Sequence, residues 1–89
     1  MSKNIAVIGC GYWGENIVRN FYELNALYGI CDIDKKKLEN LKKKHPGLKH
    51  FVNLSSVLSD SKIKAVAIST PAATHYDLVK QAINAGKDV

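Results

Sequence analysis

An α/β fold built on a doubly wound parallel sheet is predicted by three features of this 89-residue chain. An apolar run, Ile5-Ala6-Val7-Ile8, enters a three-glycine turn, Gly9-Cys10-Gly11-Tyr12-Trp13-Gly14. A second apolar stretch, Ala26–Cys31, ends on an acid, Asp32, roughly twenty residues after the turn. Strand-like apolar runs then alternate with helix-like stretches to the end of the chain. That alternation implies parallel strands joined by right-handed crossovers.

The first strand is apolar throughout, as suits the centre of a parallel sheet covered on both faces. In the turn after it, Gly9 permits a sharp exit, Gly11 lets backbone approach a phosphate, and Gly14 lets the following helix lie close. The helix then presents unpaired N–H groups and a partial positive charge to whatever sits above the turn, which describes a pyrophosphate site. A glycine turn can also merely join a strand to a helix; the acid at the end of the next strand favours a dinucleotide. A carboxylate at Asp32 accepts hydrogen bonds from both adenosine ribose hydroxyls and repels a 2′-phosphate, so NAD is favoured over NADP. The competing role for Asp32 is a surface acid flanking a helix. Lys35 and Lys36 would approach a 2′-phosphate if NADP were accepted, which Asp32 makes the lesser reading.

The first helix carries Ile17, Val18, Phe21 and Leu24 at helical spacing, with Arg19, Asn20 and Glu23 outward. Asn25-Ala26 breaks into the second strand. Asp34 is a good N-cap for a lysine-rich helix that Pro46-Gly47 stops. Lys49–Val52 forms a short third strand, and Ser55 or Ser56 caps a short helix carrying Val57 and Leu58. Ser61–Lys64 reads as a surface connection before a fourth buried strand, Ala65–Ile68. A loop from Ser69 to His75 lies at the sheet's C-terminal edge. The last helix groups Leu78, Val79, Ala82 and Ile83 on one face, and Gly86 closes it as a left-handed C′ residue. Lys87-Asp88-Val89 begins a fifth strand. The whole is a Rossmann-type sheet, truncated near that strand.

The net charge of +5 raises the question of nucleic acid. Most of the excess sits in Lys35-Lys36-Lys37 and Lys42-Lys43-Lys44, around Leu38 and Leu41, with no interleaved aromatic or arginine residues for base stacking. A solvated helix face is the favoured reading. No apolar run is long enough to span a membrane, and the N-terminus lacks a secretory pattern. Cys10 and Cys31 have neither zinc nor redox spacing, so free thiols and a cytoplasmic location are expected. Neither a metal site nor a catalytic group is recognisable. His45 and His50 read as surface residues. Tyr12 and Trp13 lie in the turn, one packing under the helix and the other covering the cofactor, without a pattern that says which. At the last helix, Thr74 offers a cap with Asp77 three residues on, and His75 either bonds free backbone there or faces the site.

Gly9-Cys10-Gly11-Tyr12-Trp13-Gly14 with Asn16 and Val18–Phe21, and Ser69-Thr70-Pro71 through His75, Ala82 and Ala85–Val89, resemble the N-terminal part of the glucose–fructose oxidoreductase/inositol dehydrogenase (Gfo/Idh/MocA) family. The resemblance covers essentially the whole chain, in the family's order. The turn is most similar to the nucleotide-sugar dehydrogenase branch, which includes UDP-N-acetyl-glucosaminuronate 3-dehydrogenases. It implies an NAD(P)-dependent oxidoreductase acting on a sugar or nucleotide-sugar hydroxyl by hydride transfer. Gly9, Gly11, Tyr12, Trp13 and Gly14 would hold the pyrophosphate, Asp32 the adenosine ribose, and Ile33 the adenine. Ser69, Thr70 and Pro71 would line the path to the nicotinamide, with His75 beyond. In the family the fifth strand leads to a Glu-Lys-Pro motif with a catalytic lysine, then to a substrate domain, in a protein expected to be a homo-oligomer. Residues 1–89 are therefore expected to be an incomplete dinucleotide-binding domain without the substrate domain. A non-catalytic NAD-binding regulatory module is the alternative.

Overall fold

A computed structural model describes residues 3–9, 12–70 and 72–89, and of residues 12, 13 and 72–75 only the backbone. Four strands, β1 (Ile5–Ile8), β2 (Leu27–Cys31), β3 (Lys49–Phe51) and β4 (Ala65–Ile68), alternate with α1 (Tyr12–Glu23), α2 (Lys35–Lys44), α3 (Leu54–Ser59) and α4 (Ala72–Asn84). The sheet is parallel in the order β3-β2-β1-β4. Chain direction across the sheet therefore reverses between β1 and β4.

Two apolar layers result. Val7 and Ile30 face Val18 of α1 and Leu38 and Leu41 of α2. Ala6, Ile8, Cys31, Phe51 and Val66 face Val57 of α3 and Ala82 of α4. β1, β2 and β4 contribute to both layers because successive side chains alternate, which is why the central runs are apolar without interruption. One residue departs from the alternation. Ile5 pairs with Leu27 but Ala6 pairs with Gly29, so Tyr28 is an extra residue in β2. Its hydroxyl donates to Asp60 Oδ2 at 3.1 Å. Beside it, a Cβ on Gly29 would come within 2.8 Å of the Phe51 ring.

Several local expectations need correction. Ile63 is not on a surface connection: it is fully buried, drawn under the sheet from between two exposed lysines. Leu24 leaves the apolar stripe and is exposed, because α1 ends at Glu23 and Asn25 turns the chain in a left-handed conformation (φ 59°). The cap of α3 is Asn53, not a serine. Its side chain accepts from Ser56 N at 2.9 Å, and the hydroxyls of Ser55 and Ser56 donate to the same oxygen. The geometry explains this, since a capping oxygen must sit two or three residues before the amide it accepts from. Helix α4 begins at Ala72, so Thr74 and His75 lie in its first turn and Thr74 is not its cap; Ala72 and Ala73 are strong helix formers. On α4, Leu78 and Ala82 pack inward four residues apart, while Ile83, rotated by 100°, is exposed. His45 and His50 are half-buried rather than on the surface: the His45 ring lies 4.6 Å from that of Tyr22, and His50 Nε2 is closed off from solvent.

The remaining punctuation follows the sequence. Asp34 caps α2 by accepting from Lys36 N at 3.0 Å, and Gly86 has φ of 80°. Residues 87–89 meet β4 through one parallel bridge, Ala65 to Asp88. Lys87 Nζ secures that approach by donating to the carbonyls of Asp60 (2.8 Å) and Ile63 (2.6 Å).

Candidate functional site: a cleft at the strand-order reversal

In a doubly wound sheet, ligands bind outside the carboxyl ends of the strands where strand order reverses. Here that place is the gap between β1 and β4, and a cleft of about 700 Å³ opens there. It takes in Gly9 after β1, Asp32 and Ile33 after β2, Val52, Asn53 and Leu54 after β3, and Ser69 and Thr70 after β4. Its volume falls within the range of small-molecule sites.

The turn after β1 is pressed against its neighbours. Gly9 has φ of 89°, donates its N–H to the Cys31 carbonyl at 2.9 Å, and leaves no space for a side chain: an added Cβ would lie 2.6 Å from the Ser69 carbonyl oxygen. Ser69 N donates in turn to the Ile8 carbonyl at 2.8 Å. A Cβ on the buried Gly14 would overlap the Gly9 carbonyl oxygen. The start of α1 is thus drawn onto the turn, and only glycine at both positions allows that approach. A helix N-terminus so placed offers backbone N–H donors and the positive end of its dipole to an anion. Gly11, Cys10 and Pro71 lie outside the described residues, as do the side chains of Tyr12, Trp13 and His75.

Asp32 stands at the carboxyl end of β2, on the cleft wall. Its Oδ1 accepts from Asp34 N at 2.9 Å and its own N–H donates to Phe51 at 3.2 Å, so turn and sheet together orient the carboxylate. Ile33 is 90 % exposed beside the cleft, an unusual exposure for an isoleucine and one that suits a wall for a flat apolar ring. The lysine at the cleft is Lys37, not Lys35 or Lys36, which the sequence offered only as the lesser reading. Three consecutive helical residues point 100° apart, so only one of them faces a given side. The sequence reading also missed Val52, Asn53 and Leu54. The signal was available in the topology, since the residue after every parallel strand reaches the same rim.

Beneath the cleft, burial pushes the Cys31 thiol up to about 11, with the charge of Asp32 adding to the effect. The folded value lies above the unfolded one of 9.0, so the fold holds this proton more tightly than the unfolded chain. Stability is therefore undiminished below pH 9 and falls as pH rises towards 11, by up to about 2 kcal/mol. Urea midpoints measured across that interval should fall, and Cys31→Ala should flatten the decline.

Among the described residues there is no cluster of potential metal ligands, and no helix is long and apolar enough to cross a membrane.

Known proteins share this architecture. An uncharacterized oxidoreductase of Synechocystis is 31 % identical over 88 residues, covering 96 % of this chain and 24 % of its own length. The scyllo-inositol dehydrogenase of Lactobacillus casei, solved with NAD(H) and scyllo-inositol, superposes with a TM-score of 0.87 at 23 % identity, covering 98 % of this chain and 26 % of its own. The WlbA dehydrogenase of Bordetella pertussis, solved with NADH and UDP-GlcNAcA, also gives 0.87 at 23 % identity, covering all of this chain and 28 % of its own. The chain spans about a quarter of the length of these relatives. The glycine turn, the acid after β2 and the reversal between β1 and β4 agree with a family match over residues 3–89, and the chain belongs to the Gfo/Idh/MocA oxidoreductase family, with its NAD-binding Rossmann fold.

Proposed function

We propose that these residues are the cofactor-binding part of a longer NAD-dependent dehydrogenase that oxidises a hydroxyl of a sugar or nucleotide sugar. The observation that carries the reading is the cleft that joins Gly9, Asp32 and the Ser69–Thr70 edge. The sugar-type substrate is supported by the inositol and UDP-sugar dehydrogenases that share the fold. The bound nicotinamide supplies hydride acceptance. This chain's residues bind and orient. Gly9, Gly11, Tyr12, Trp13 and Gly14 hold the pyrophosphate through backbone, and Asp32 takes the adenosine ribose hydroxyls. Ile33 packs against the adenine, while Ser69, Thr70 and Pro71 guide the nicotinamide end, with His75 at its far side. The catalytic proton acceptor and the substrate domain belong to the rest of the protein, which we place in the cytoplasm as a homo-oligomer.

Titration with NADH, read as energy transfer from Trp13, tests the site. Asp32→Ala should weaken NADH roughly 10- to 100-fold, the worth of charge-assisted bonds to two hydroxyls. Asp32→Asn keeps an oxygen for the Asp34 amide but loses the charge, so it should bind NADPH better than the parent does. Unaltered NADH affinity in both variants, with the fold intact, would remove Asp32 from the site.

A further inference from the structure

We propose that Asn53 is a base-recognition residue: its amide nitrogen donates a hydrogen bond to a ring nitrogen of the adenine that packs on Ile33. This rests on the cofactor reading above and adds a polar contact to a base otherwise held by apolar packing.

Asn53 lines the cleft together with Val52 and Leu54, just past the end of β3. β2 and β3 run parallel with Cys31 level with Phe51, and the Asp32 N–H still reaches the Phe51 carbonyl. Carried two residues past the strands, that register sets Ile33 beside Asn53, one strand spacing of about 4.8 Å away. The backbone at Asn53 is itself extended (φ −141°, ψ 156°). A ring lying on the exposed Ile33 side chain therefore brings its edge to Asn53.

The cap of α3 determines which end of the amide is offered there. Oδ1 accepts from Ser55 Oγ, Ser56 N and Ser56 Oγ, each at 2.9 Å. A hydroxyl can donate or accept, but the Ser56 N–H can only donate. Turning the amide over would set Nδ2 against that N–H, donor to donor, so its orientation is fixed. Oδ1 is then fully used. Nδ2 keeps two N–H donors with no partner among the described residues, on a side chain that is exposed.

A donor-only group selects an acceptor. Around adenine, the ring nitrogens N1, N3 and N7 accept, whereas the exocyclic amino group donates. Asp32 is the complement: its carboxylate accepts, and the ribose hydroxyls it takes donate. Two neighbouring residues of the rim thus read the adenosine with opposite hydrogen-bond polarity, one at the sugar and one at the base.

Equilibrium titration of the protein with NADH, and with three analogues that each replace adenine N1, N3 or N7 by CH, tests this. At least one analogue should bind the parent protein roughly three- to tenfold more weakly than NADH, the loss of one neutral hydrogen bond. Serine caps a helix about as well as asparagine but lacks the amide donors. Asn53→Ser should therefore melt with the parent and bind NADH more weakly by the same factor. In that variant the sensitive analogue should bind no worse than NADH. Asn53→Asp also keeps the cap and should repeat the loss of affinity, whereas Asn53→Ala should lose stability as well. Three analogues that all match NADH on the parent overturn the base contact alone. So does parent affinity in Asn53→Ser, or an analogue penalty that survives in it. A folded protein that gives no saturable NADH signal overturns the cofactor reading and the contact with it.

Discussion

Gly14→Ala is expected to weaken NADH binding roughly 100-fold while leaving a folded but less stable protein. Two effects oppose each other. Alanine is the better helix former by about 1 kcal/mol, and Gly14 lies within α1, so propensity alone would stabilise. Against that, the new methyl would overlap the Gly9 carbonyl oxygen, with the Gly9 carbonyl carbon at 3.0 Å and Ser69 Oγ at 3.6 Å. Gly9 is held in place, because its N–H is bonded to the Cys31 carbonyl and the Ser69 carbonyl lies where a Cβ on it would be. The helix must therefore lift from the turn. Overpacking of this sort costs about 1 to 3 kcal/mol, enough to cancel the propensity gain and leave a net loss. Binding suffers more than stability, since a displacement of about 1 Å at a positioning element is worth roughly 100-fold. A urea melt and an NADH titration on the same variant separate the two. A stabilised variant with parent affinity would show that α1 is not held against the turn.

The elements that were legible in the sequence are those determined by neighbours along the chain. β1 and β4 declare themselves because a strand buried on both faces has no polar positions, and Asp34 and Gly86 declare the ends of helices because capping is local. The glycine turn and Asp32 were legible for the same reason, as parts of one strand–turn–helix–strand unit. What escaped is tertiary. Tyr28 looks like any aromatic strand residue until Asp60, distant in sequence, meets its hydroxyl. Lys37 is one of three adjacent lysines until the rotation of α2 about its axis selects it. Asn53 was passed over for two serines that prove to be donors to it. Val52 and Leu54 join the site only once β3 is known to run parallel to β2 and to end at the same rim.

Ile63 and Ile33 make the sharpest pair of opposite expectations, because residue type is the same and burial alone differs. Ile63 sits between Lys62 and Lys64 and is 0 % exposed, whereas Ile33 is 90 % exposed. Ile63→Ala removes fully packed methyl groups beneath β4 and leaves a cavity, at a cost of about 2 to 5 kcal/mol. In a chain of 89 residues that is a large share of a total stability of about 5 to 15 kcal/mol. The cooperative transition should therefore shift down steeply or vanish at ambient temperature. Where the variant remains folded, its NADH affinity should match the parent's, since Ile63 lies at the amino end of β4 and the cleft at the carboxyl end. Ile33→Ala should do the reverse. An exposed side chain contributes within about 0.5 kcal/mol to stability, while loss of an apolar wall against the adenine should weaken NADH by roughly three- to tenfold. Thermal melts and NADH titrations of both variants would show the crossing. An Ile33→Ala protein with unaltered affinity would take that residue out of the adenine wall, and an Ile63→Ala protein with an unaltered melt would contradict its place in the core.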